Sequence, residues 1–306
     1  MILLTNGEGA SGVGECARRL AAGAAALDAI EAGVRLVEAD PKVRSVGPGS
    51  WPNIAGELQL DAAMMEGTSR RSGAVGALSG FAHPVSIARA VMDRLPHEIL
   101  VGEGAARFAR EIGAETIAAR DGFVDARWGE VLQRHGASRD ALDATPDAPL
   151  IELARAAGDP ELVRDTTVYL ARDAAGHLAS GASTSGWAWK YPGRLGDTPI
   201  IGAGSYADTR FGAAACTHTG EMTIRAGTAR AIVLYLQLGM PLHEAVDRAV
   251  ADLRDLRGGQ LGAVVIHALD CAGGHRVVAL NTAGPIHYWF WLPGMPAPER
   301  RIAAAA

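Results

Sequence analysis

A polar stretch from about residue 114 to residue 164 divides this 306-residue chain, and strand patterns occur on both sides of it. Pro146, Pro149 and Pro160 lie in the stretch among charged and small residues, and apolar periodicity fades there. A loop of this length inside a compact domain is uncommon and often functional. We therefore expect a surface linker or a processing loop between two halves of an α/β fold, either one large domain or two average ones.

Strand and helix patterns flank the loop. Before it, strands are predicted at residues 1–6, 57–67 and 72–78, and helices at 15–40, 83–95 and 103–112. The first helical stretch should break near Gly23 and Gly33, and residues 7–14 should form a glycine-rich loop. After it, strands are predicted at 167–171, 177–183, 262–270 and 277–281, and helices at 225–238 and 242–256. Residues 303–306 are predicted to fray.

Composition excludes several classes of function. The net charge is −5 and no basic run stands out, which argues against nucleic acid as a partner. Cys16, Cys216 and Cys271 are too few for a disulfide framework, and the nine histidines form no metal-binding motif. The chain begins on a strand and has no long apolar segment. These features predict a soluble cytoplasmic protein without a metal or a membrane partner.

The glycine-rich loop matches a dinucleotide-binding fingerprint, with glycines at 7, 9 and 12 and Asp28 about 20 residues further on. Such a fingerprint needs a second parallel strand that ends near the acidic residue. Here Asp28 lies inside helical sequence. We therefore keep a nucleotide site only as an alternative and interpret the loop as one that lets the backbone approach another group closely.

A second glycine-rich segment, residues 183–208, follows a predicted strand and carries hydroxyl groups and one Arg/Asp pair. Such a segment is typical of a constrained loop that forms a site. Arg194 would bind a carboxylate through two parallel hydrogen bonds, and Asp197 would bind an ammonium group. Spacing alone leaves a second interpretation open, in which the two form an ion pair that stabilises a turn.

Thr166 lies where the polar stretch ends and a strand begins. A threonine whose own backbone nitrogen is a free amine is a good nucleophile, because that amine can take the proton of the hydroxyl. The amine would titrate at about 7.7–8, which suits a general base near neutral pH. A cut between Asp165 and Thr166 would therefore create a nucleophile and its base in one step.

Together these segments resemble the asparaginase-like N-terminal nucleophile (Ntn) hydrolases, and most closely the glycosylasparaginase, or N4-(β-N-acetylglucosaminyl)-L-asparaginase, branch. The resemblance covers nearly the whole chain, and its most specific block is G-R-L-G-D-T-P at 193–199. The matching blocks are residue 6 and residues 60–67, 72–75, 83–89, 101–105, 165–166, 183–208 and 212–221.

The resemblance implies a four-layer αββα sandwich in a single domain over residues 1–306. It implies a precursor that cuts itself before Thr166. The α-subunit would be residues 1–165, with 114–165 as processing loop, and the β-subunit residues 166–306. It also implies a homodimer of such α/β pairs, and hydrolysis of a small β-aspartyl amide without a cofactor.

The resemblance also assigns roles to individual residues. Thr166 is the nucleophile, Asp165 assists self-cleavage and Thr184 bonds near the nucleophile. The substrate-binding residues are Arg194 for the α-carboxylate, Asp197 for the α-amino group and Gly220 alongside. Thr217 and the backbone N–H of His218 form the oxyanion hole.

The chain departs from the family pattern at several positions. Val168 replaces a usual glycine two places after the nucleophile, and Arg164 replaces a usual histidine. His218 replaces the usual glycine after the oxyanion threonine, so its ring would either narrow the pocket or turn outward. These changes leave open an uncleaved protein that binds an amino-acid-like ligand without turnover.

The tryptophan that glycosylasparaginases place near the glycan is absent after the first strand. Trp51, Trp187 and Trp189 could replace it, although buried aromatic rings are more often core. The substrate class is therefore a glycosyl-asparagine, with asparagine or a β-aspartyl peptide as the alternative.

Overall fold

A computed structural model describes residues 1–117, 122–159 and 166–306, and in them two β-sheets stack between layers of helices. The strands β1 to β13 are, in order, Ile2–Asn6, Leu60–Glu66, Ser72–Leu78, Ile99–Val101, Thr167–Arg172, Leu178–Thr184, Ser205–Asp208, Gly212–His218, Val264–Asp270, His275–Leu280, His287–Trp291, Glu299–Ile302 and Ala304–Ala305. The helices α1 to α10 are Ala10–Ala21, Ala26–Ala39, Pro84–Arg94, Gly102–Glu111, Gly122–Arg134, Arg139–Ala144, Ile151–Ala157, Gly220–Ala226, Thr228–Gln237 and Leu242–Arg254.

Within the described ranges, the first sheet has the strand order β12-β11-β1-β5-β6-β2-β3-β4 and the second the order β13-β10-β9-β8-β7. The β3–β4 and β10–β13 pairs are parallel, and the neighbouring pairs around them are antiparallel. Strand β5, which follows the predicted cleavage point, lies between β1 and β6 near the middle of the first sheet. The start of β5 is therefore held on both sides.

Successive side chains of a strand point to opposite faces of its sheet, so each strand contributes to two packed layers. In β5, Val168 and Leu170 pack between the two sheets, whereas Tyr169 and Ala171 pack against the outer helices α1 to α4. The outer face of the second sheet is covered by α8 to α10. The four-layer αββα sandwich is thus confirmed. No helix in the described parts of the chain is long and apolar enough to cross a membrane.

The glycines near the N-terminus serve helix packing. A Cβ atom on Gly12 would come within 1.9 Å of the Gly33 carbonyl oxygen, so these glycines let α1 and α2 approach closely. The predicted break at Gly33 is wrong, because α2 continues through it, and α1 already begins at Ala10 inside the predicted loop. Asp28 lies on α2, where it pairs with Arg89 at 3.1 Å. The two consecutive helices contradict a dinucleotide-binding unit, which needs a strand between them.

The predicted irregular loop at 114–164 instead contains the helices α5, α6 and α7. Val124, Trp128 and Val131 recur at helical spacing and pack against Ile54, and the Trp128 indole nitrogen donates to the Ile54 carbonyl at 3.0 Å. Pro146 and Pro149, which suggested a loop, lie between α6 and α7, and Pro160 lies outside the described residues.

Two further predictions were wrong, and one strand was not predicted at all. Residues 225–238 are not one helix, because Gly227, with φ of +60°, separates α8 from α9. The C-terminus does not fray, since β13 pairs with β10. Strand β8 was missed because its small residues have little strand preference of their own, and burial in the sandwich determines its conformation.

Candidate active site

The site lies at one end of the sandwich, where both sheets contribute strand ends. Thr166 directly precedes β5, and Thr184 is the last residue of β6. Because Thr167 pairs with Ser183, the antiparallel register places these two threonines at the same edge. A narrow cavity opens there, with the following lining residues: Thr166, Thr184, Gly186, Trp187, Arg194, Gly196, Asp197, Thr198 and His218.

Thr166 is held by the end of β1. The Asn6 side-chain amide donates to the Thr166 carbonyl at 2.6 Å, and its oxygen accepts from the Val168 backbone nitrogen at 3.1 Å. The Thr5 hydroxyl donates to the Val168 carbonyl at 2.7 Å. The Val168 side chain packs in the core between the sheets, so valine fits where the family pattern has glycine. Asp165 and Arg164, the other residues at the predicted cleavage point, lie outside the described residues.

Thr184 fixes the turn that leads from β6 into the glycine-rich segment. Its hydroxyl accepts from the Gly186 backbone nitrogen at 2.9 Å and donates to the Ser45 carbonyl at 3.4 Å. The Ser185 backbone nitrogen donates to the same carbonyl at 2.6 Å. The segment that carries Arg194 and Asp197 therefore leaves the sheet at a defined position beside Thr166.

Arg194 is oriented by a neighbour that the sequence did not point to. Its Nε and Nη2 atoms both donate to Oε1 of Glu221, at 3.0 and 2.7 Å, and its guanidinium lies 4.6 Å above the Trp187 ring. Nη1 lies against the backbone of Gly186 and Gly196. A Cβ atom added to these glycines would lie only 2.9 and 3.0 Å from Nη1. Side chains at these two positions would collide with the guanidinium, so both glycines are needed for this close approach.

Asp197 is buried, and its carboxylate accepts from the Thr223 hydroxyl at 2.6 Å. Burial raises its pKa to about 6, although the Thr223 hydrogen bond and the charge of Arg194 oppose that rise. A Cβ on Gly220 would lie 2.8 Å from Oδ1 of Asp197, so glycine is needed for this close approach. Arg194 and Asp197 therefore do not form the ion pair that was considered above as a way to stabilise a turn. Arg194 instead donates to Glu221, and Asp197 accepts from Thr223.

Thr217 and His218 end strand β8 in the second sheet. The Thr217 hydroxyl lies 3.0 Å from Nδ1 of His218. His218 has φ of +81°, in the left-handed region that glycine adopts with little strain and that costs other residues about 1–3 kcal/mol. This conformation favours glycine, the residue that the resemblance implied for this position. His218 lines the cavity, whereas Thr217 is buried directly behind it.

His267 lies on β9 opposite Ala215 of β8, and it is buried on the face between the sheets. Burial, with the nearby His218 as a smaller cause, lowers the pKa of this histidine to about 3. The ring is therefore neutral at physiological pH, and it adds no charge to this end of the two strands.

Beneath the glycine-rich segment, Lys190 forms a buried ion pair. Its Nζ atom donates to the Gln59 carbonyl at 3.2 Å and lies 3.9 Å from Oδ2 of Asp61. Burial lowers the pKa of Lys190, whereas Asp61 opposes that change. A Cβ on Gly186 would lie 3.3 Å from Nζ, so this pair supports the segment from below.

The structure brings together most residues that were predicted for the site. Thr166, Thr184, Arg194, Asp197 and His218 line one cavity. The two remaining described residues, Thr217 and Gly220, lie next to it through His218 and Asp197.

Sequence reasoning missed Asn6, Glu221, Thr223 and Lys190 as functional neighbours. Glu221 was inside a matching block, and its place four residues after Thr217 was the signal that could have drawn attention to it.

The tryptophans considered as a sugar platform divide into two kinds. Trp51 and Trp189 are buried and pack edge to face, with ring centroids 5.3 Å apart, so both belong to the core. Trp187 does line the cavity, but Arg194 covers one face of its ring.

Comparison with known proteins agrees with this geometry. The family model described as "Asparaginase" matches residues 10–288. An isoaspartyl peptidase of Salmonella typhimurium is 35% identical over 280 residues, which are 91% of this chain and 85% of that protein. An isoaspartyl peptidase/L-asparaginase of Bos taurus is 34% identical over 80% of this chain and 74% of that protein. An N(4)-(Beta-N-acetylglucosaminyl)-L-asparaginase of Elizabethkingia miricola is 37% identical over 76% of this chain and 62% of that protein.

The sandwich and its match to these proteins define the class as a hydrolase of the N-terminal nucleophile type. Within that class, the chain belongs to the asparaginase family.

Proposed function

We propose that this chain cuts itself between Asp165 and Thr166 and then uses Thr166 to hydrolyse β-aspartyl amides. The observation that carries the proposal is the cavity in which Thr166 faces the same space as Arg194 and Asp197. The lining of that cavity therefore offers a cation, an anion and a hydroxyl. This arrangement matches a substrate with a free amino-acid head and an amide further along its side chain.

The substrate head would be bound by complementary charges. Nε and Nη2 of Arg194 already donate to Glu221, so Nη1 is the donor that remains for the α-carboxylate. Asp197 is mostly ionised above its pKa of about 6 and would bind the α-ammonium. Because Glu221 already fixes Arg194, little side-chain freedom is lost when the substrate binds.

Thr166 would act once its nitrogen is a free amine. The amine takes the hydroxyl proton while Oγ attacks the amide carbon, and the resulting oxyanion accepts from the Thr217 hydroxyl and the His218 backbone N–H. The amine then gives the proton to the leaving nitrogen, and the C–N bond breaks. Water hydrolyses the remaining ester and releases aspartate. Each oxyanion donor would contribute about 3–4 kcal/mol to catalysis.

Self-cleavage would use the same hydroxyl on a different carbonyl. Oγ of Thr166 attacks the Asp165 carbonyl carbon, the peptide bond becomes an ester and water hydrolyses it, with Asp165 assisting. Asn6 donates to the Thr166 carbonyl and accepts from the Val168 backbone N–H, and these two hydrogen bonds support this step because they fix the backbone just after the bond that breaks.

The leaving group divides the relatives into two kinds. Two of those described above carry the name isoaspartyl peptidase, and the Elizabethkingia relative carries the name of a glycosylasparaginase. We therefore propose isoaspartyl peptidase or asparaginase activity and glycosylasparaginase-like activity as the two candidates. The first is favoured by the core positions of Trp51 and Trp189, which remove two rings that could have stacked on a sugar.

The test compares purified wild type with Thr166→Ala on asparagine, a β-aspartyl dipeptide and glycosyl-asparagine, with release of aspartate as the readout. Thr145→Ala, at an exposed threonine, is the matched control. We expect wild type and control to hydrolyse at least one substrate and Thr166→Ala to hydrolyse none. If calorimetry shows aspartate binding but wild type releases aspartate from none of the three, the chain is a ligand-binding protein and the proposal is wrong.

A further inference from the structure

His218 places a side chain at a backbone position that favours glycine. Its φ of +81° lies in the left-handed region, where a residue with a Cβ atom is strained. Strain of this kind persists only where the surrounding structure compensates for it, and it is frequent at active sites. The contacts of the imidazole ring therefore indicate what this histidine adds that glycine would not.

The ring contacts the hydroxyl group that the proposed mechanism uses at the oxyanion. Nδ1 of His218 lies 3.0 Å from Oγ of Thr217, which is a hydrogen-bond distance. Thr217 is buried, and within the described parts of the chain its hydroxyl makes no second hydrogen bond. The ring of His218 therefore sets the direction in which the Thr217 hydroxyl proton points.

A threonine hydroxyl has one proton and can donate one hydrogen bond at a time. If the Thr217 hydroxyl donates to Nδ1 of His218, no proton remains for the oxyanion that forms when Thr166 attacks. If Nδ1 carries a proton and donates to Oγ, the hydroxyl proton stays available, and a hydroxyl that accepts a hydrogen bond is itself a stronger donor. Only the second polarity is compatible with Thr217 as an oxyanion donor.

We infer that His218 is a positioning residue whose Nδ1–H donates to Oγ of Thr217 and so directs the hydroxyl proton toward the oxyanion. The inference rests on the proposed function, because it needs Thr217 as an oxyanion donor. It concerns the atom that carries the proton, and both the neutral Nδ1–H tautomer and the imidazolium meet that requirement. The ring acts through Thr217 and adds to the role of the His218 backbone N–H.

Two substitutions of His218 form a matched pair. Asparagine and aspartate have nearly the same shape, and both tolerate the left-handed backbone. In His218→Asn the amide can donate to Oγ of Thr217, whereas in His218→Asp the ionised carboxylate only accepts and would take the hydroxyl proton.

The kinetic test compares this pair on the β-aspartyl substrate that wild type hydrolyses fastest, with rates counted per cleaved chain. We expect kcat to be about 10²-fold to 10³-fold lower in His218→Asp than in His218→Asn, because one oxyanion donor is lost. KM should change much less than kcat. His243→Asp, at an exposed histidine on α10, is the control for the added charge and should leave kcat unchanged. Equal kcat values in the matched pair would overturn the inference.

Thr217→Val separates capture of the proton from the effect of a new negative charge. In the His218→Asn background it should lower kcat by about 10²-fold, because an active donor is removed. In the His218→Asp background it should lower kcat by less than about threefold, because the hydroxyl is already engaged. Equal losses in the two backgrounds would refute the inference, since the charge acts on the oxyanion whether or not the hydroxyl is present.

A measurement without turnover tests the polarity even if a variant fails to fold or to cleave itself. The ring-nitrogen NMR resonances of His218, assigned by their loss in His218→Asn, show which nitrogen carries the proton. We expect a protonated Nδ1 in wild type. An unprotonated Nδ1, with β-aspartyl compounds still hydrolysed, would refute the inference and leave the proposed function intact. A wild type that hydrolyses no β-aspartyl compound would refute the proposed function and the inference together.

Discussion

Asp197→Asn should make the protein more stable while it removes the charge that binds substrate. The pKa of Asp197 is raised from 3.8 to about 6, so the folded protein holds this proton more tightly than the unfolded chain. The protonated carboxyl group therefore makes its full contribution to the free energy of unfolding below about pH 4. That contribution is lost as the pH rises through about 6. At neutral pH the ionised form is a cost that the amide does not carry.

The structure gives the size of the effect. The raised pKa lies about two units above the ordinary value, and each unit corresponds to about 1.36 kcal/mol, so Asp197→Asn should gain about 3 kcal/mol at pH 8. At pH 5 the gain should be about half of that. For a chain of 306 residues, 3 kcal/mol raises Tm by about 5 °C. Arg194 is not left unpaired, because Glu221 still accepts from it.

The assay is thermal unfolding at pH 5 and pH 8. The protein with Asp197 and the Asp197→Asn variant should both carry Thr166→Ala, so that self-cleavage does not change the chain during the experiment. Asp147→Asn, at an exposed carboxylate, is the control and should change Tm by less than about 1 °C at either pH. A substitution of Asp197 that lowers Tm, or one whose gain is the same at both pH values, would refute the burial argument.

Two further predictions concern the surroundings of the substrate head. KM for a β-aspartyl substrate should rise as the pH falls through about 6, because Asp197 becomes neutral. Glu221→Gln should move the midpoint of that rise to lower pH, since the negative charge of Glu221 helps to raise the pKa of Asp197. Identical profiles of KM against pH for wild type and Glu221→Gln would contradict this prediction. Lys190→Met should lower the free energy of unfolding by about 3–5 kcal/mol, because it leaves the Asp61 carboxylate buried without its cation. Adding Asp61→Asn to that variant should restore part of the loss in thermal unfolding, and a double variant no more stable than Lys190→Met would show that the ion pair is not the cause.

The parts of the site that sequence could predict are those that depend on local spacing. Arg194 and Asp197 are three residues apart in one segment, so any fold that forms this loop places them near each other. Thr166 and Thr184 lie at the facing ends of consecutive antiparallel strands, which the strand predictions already implied.

The missing partners come from distant parts of the chain. Asn6 reaches Thr166 across 160 positions, and Glu221 reaches Arg194 across 27 positions from a helix in the layer outside the second sheet. No periodicity or spacing predicts such contacts, because they depend on how the two sheets stack. His218 shows the same limit, since its left-handed backbone became visible only in the structure.

Secondary structure was misjudged where local preference and burial disagree. The prolines between residues 114 and 164 outweighed the helical spacing of Val124, Trp128 and Val131, and Gly33 was taken for a helix break although close packing against Gly12 explains it. In both cases tertiary contacts decide the conformation.

Under the proposed function, Thr166 first becomes a chain terminus and then acts as the nucleophile. The most direct measurement follows the intact mass of the purified protein at neutral pH over time, together with its rate of aspartate release from a β-aspartyl dipeptide. We predict two fragments, the second beginning at Thr166, and a rate that rises in proportion to the cleaved fraction. Full activity in an intact chain, or cleavage at any other bond, would rule out Thr166 as an N-terminal nucleophile.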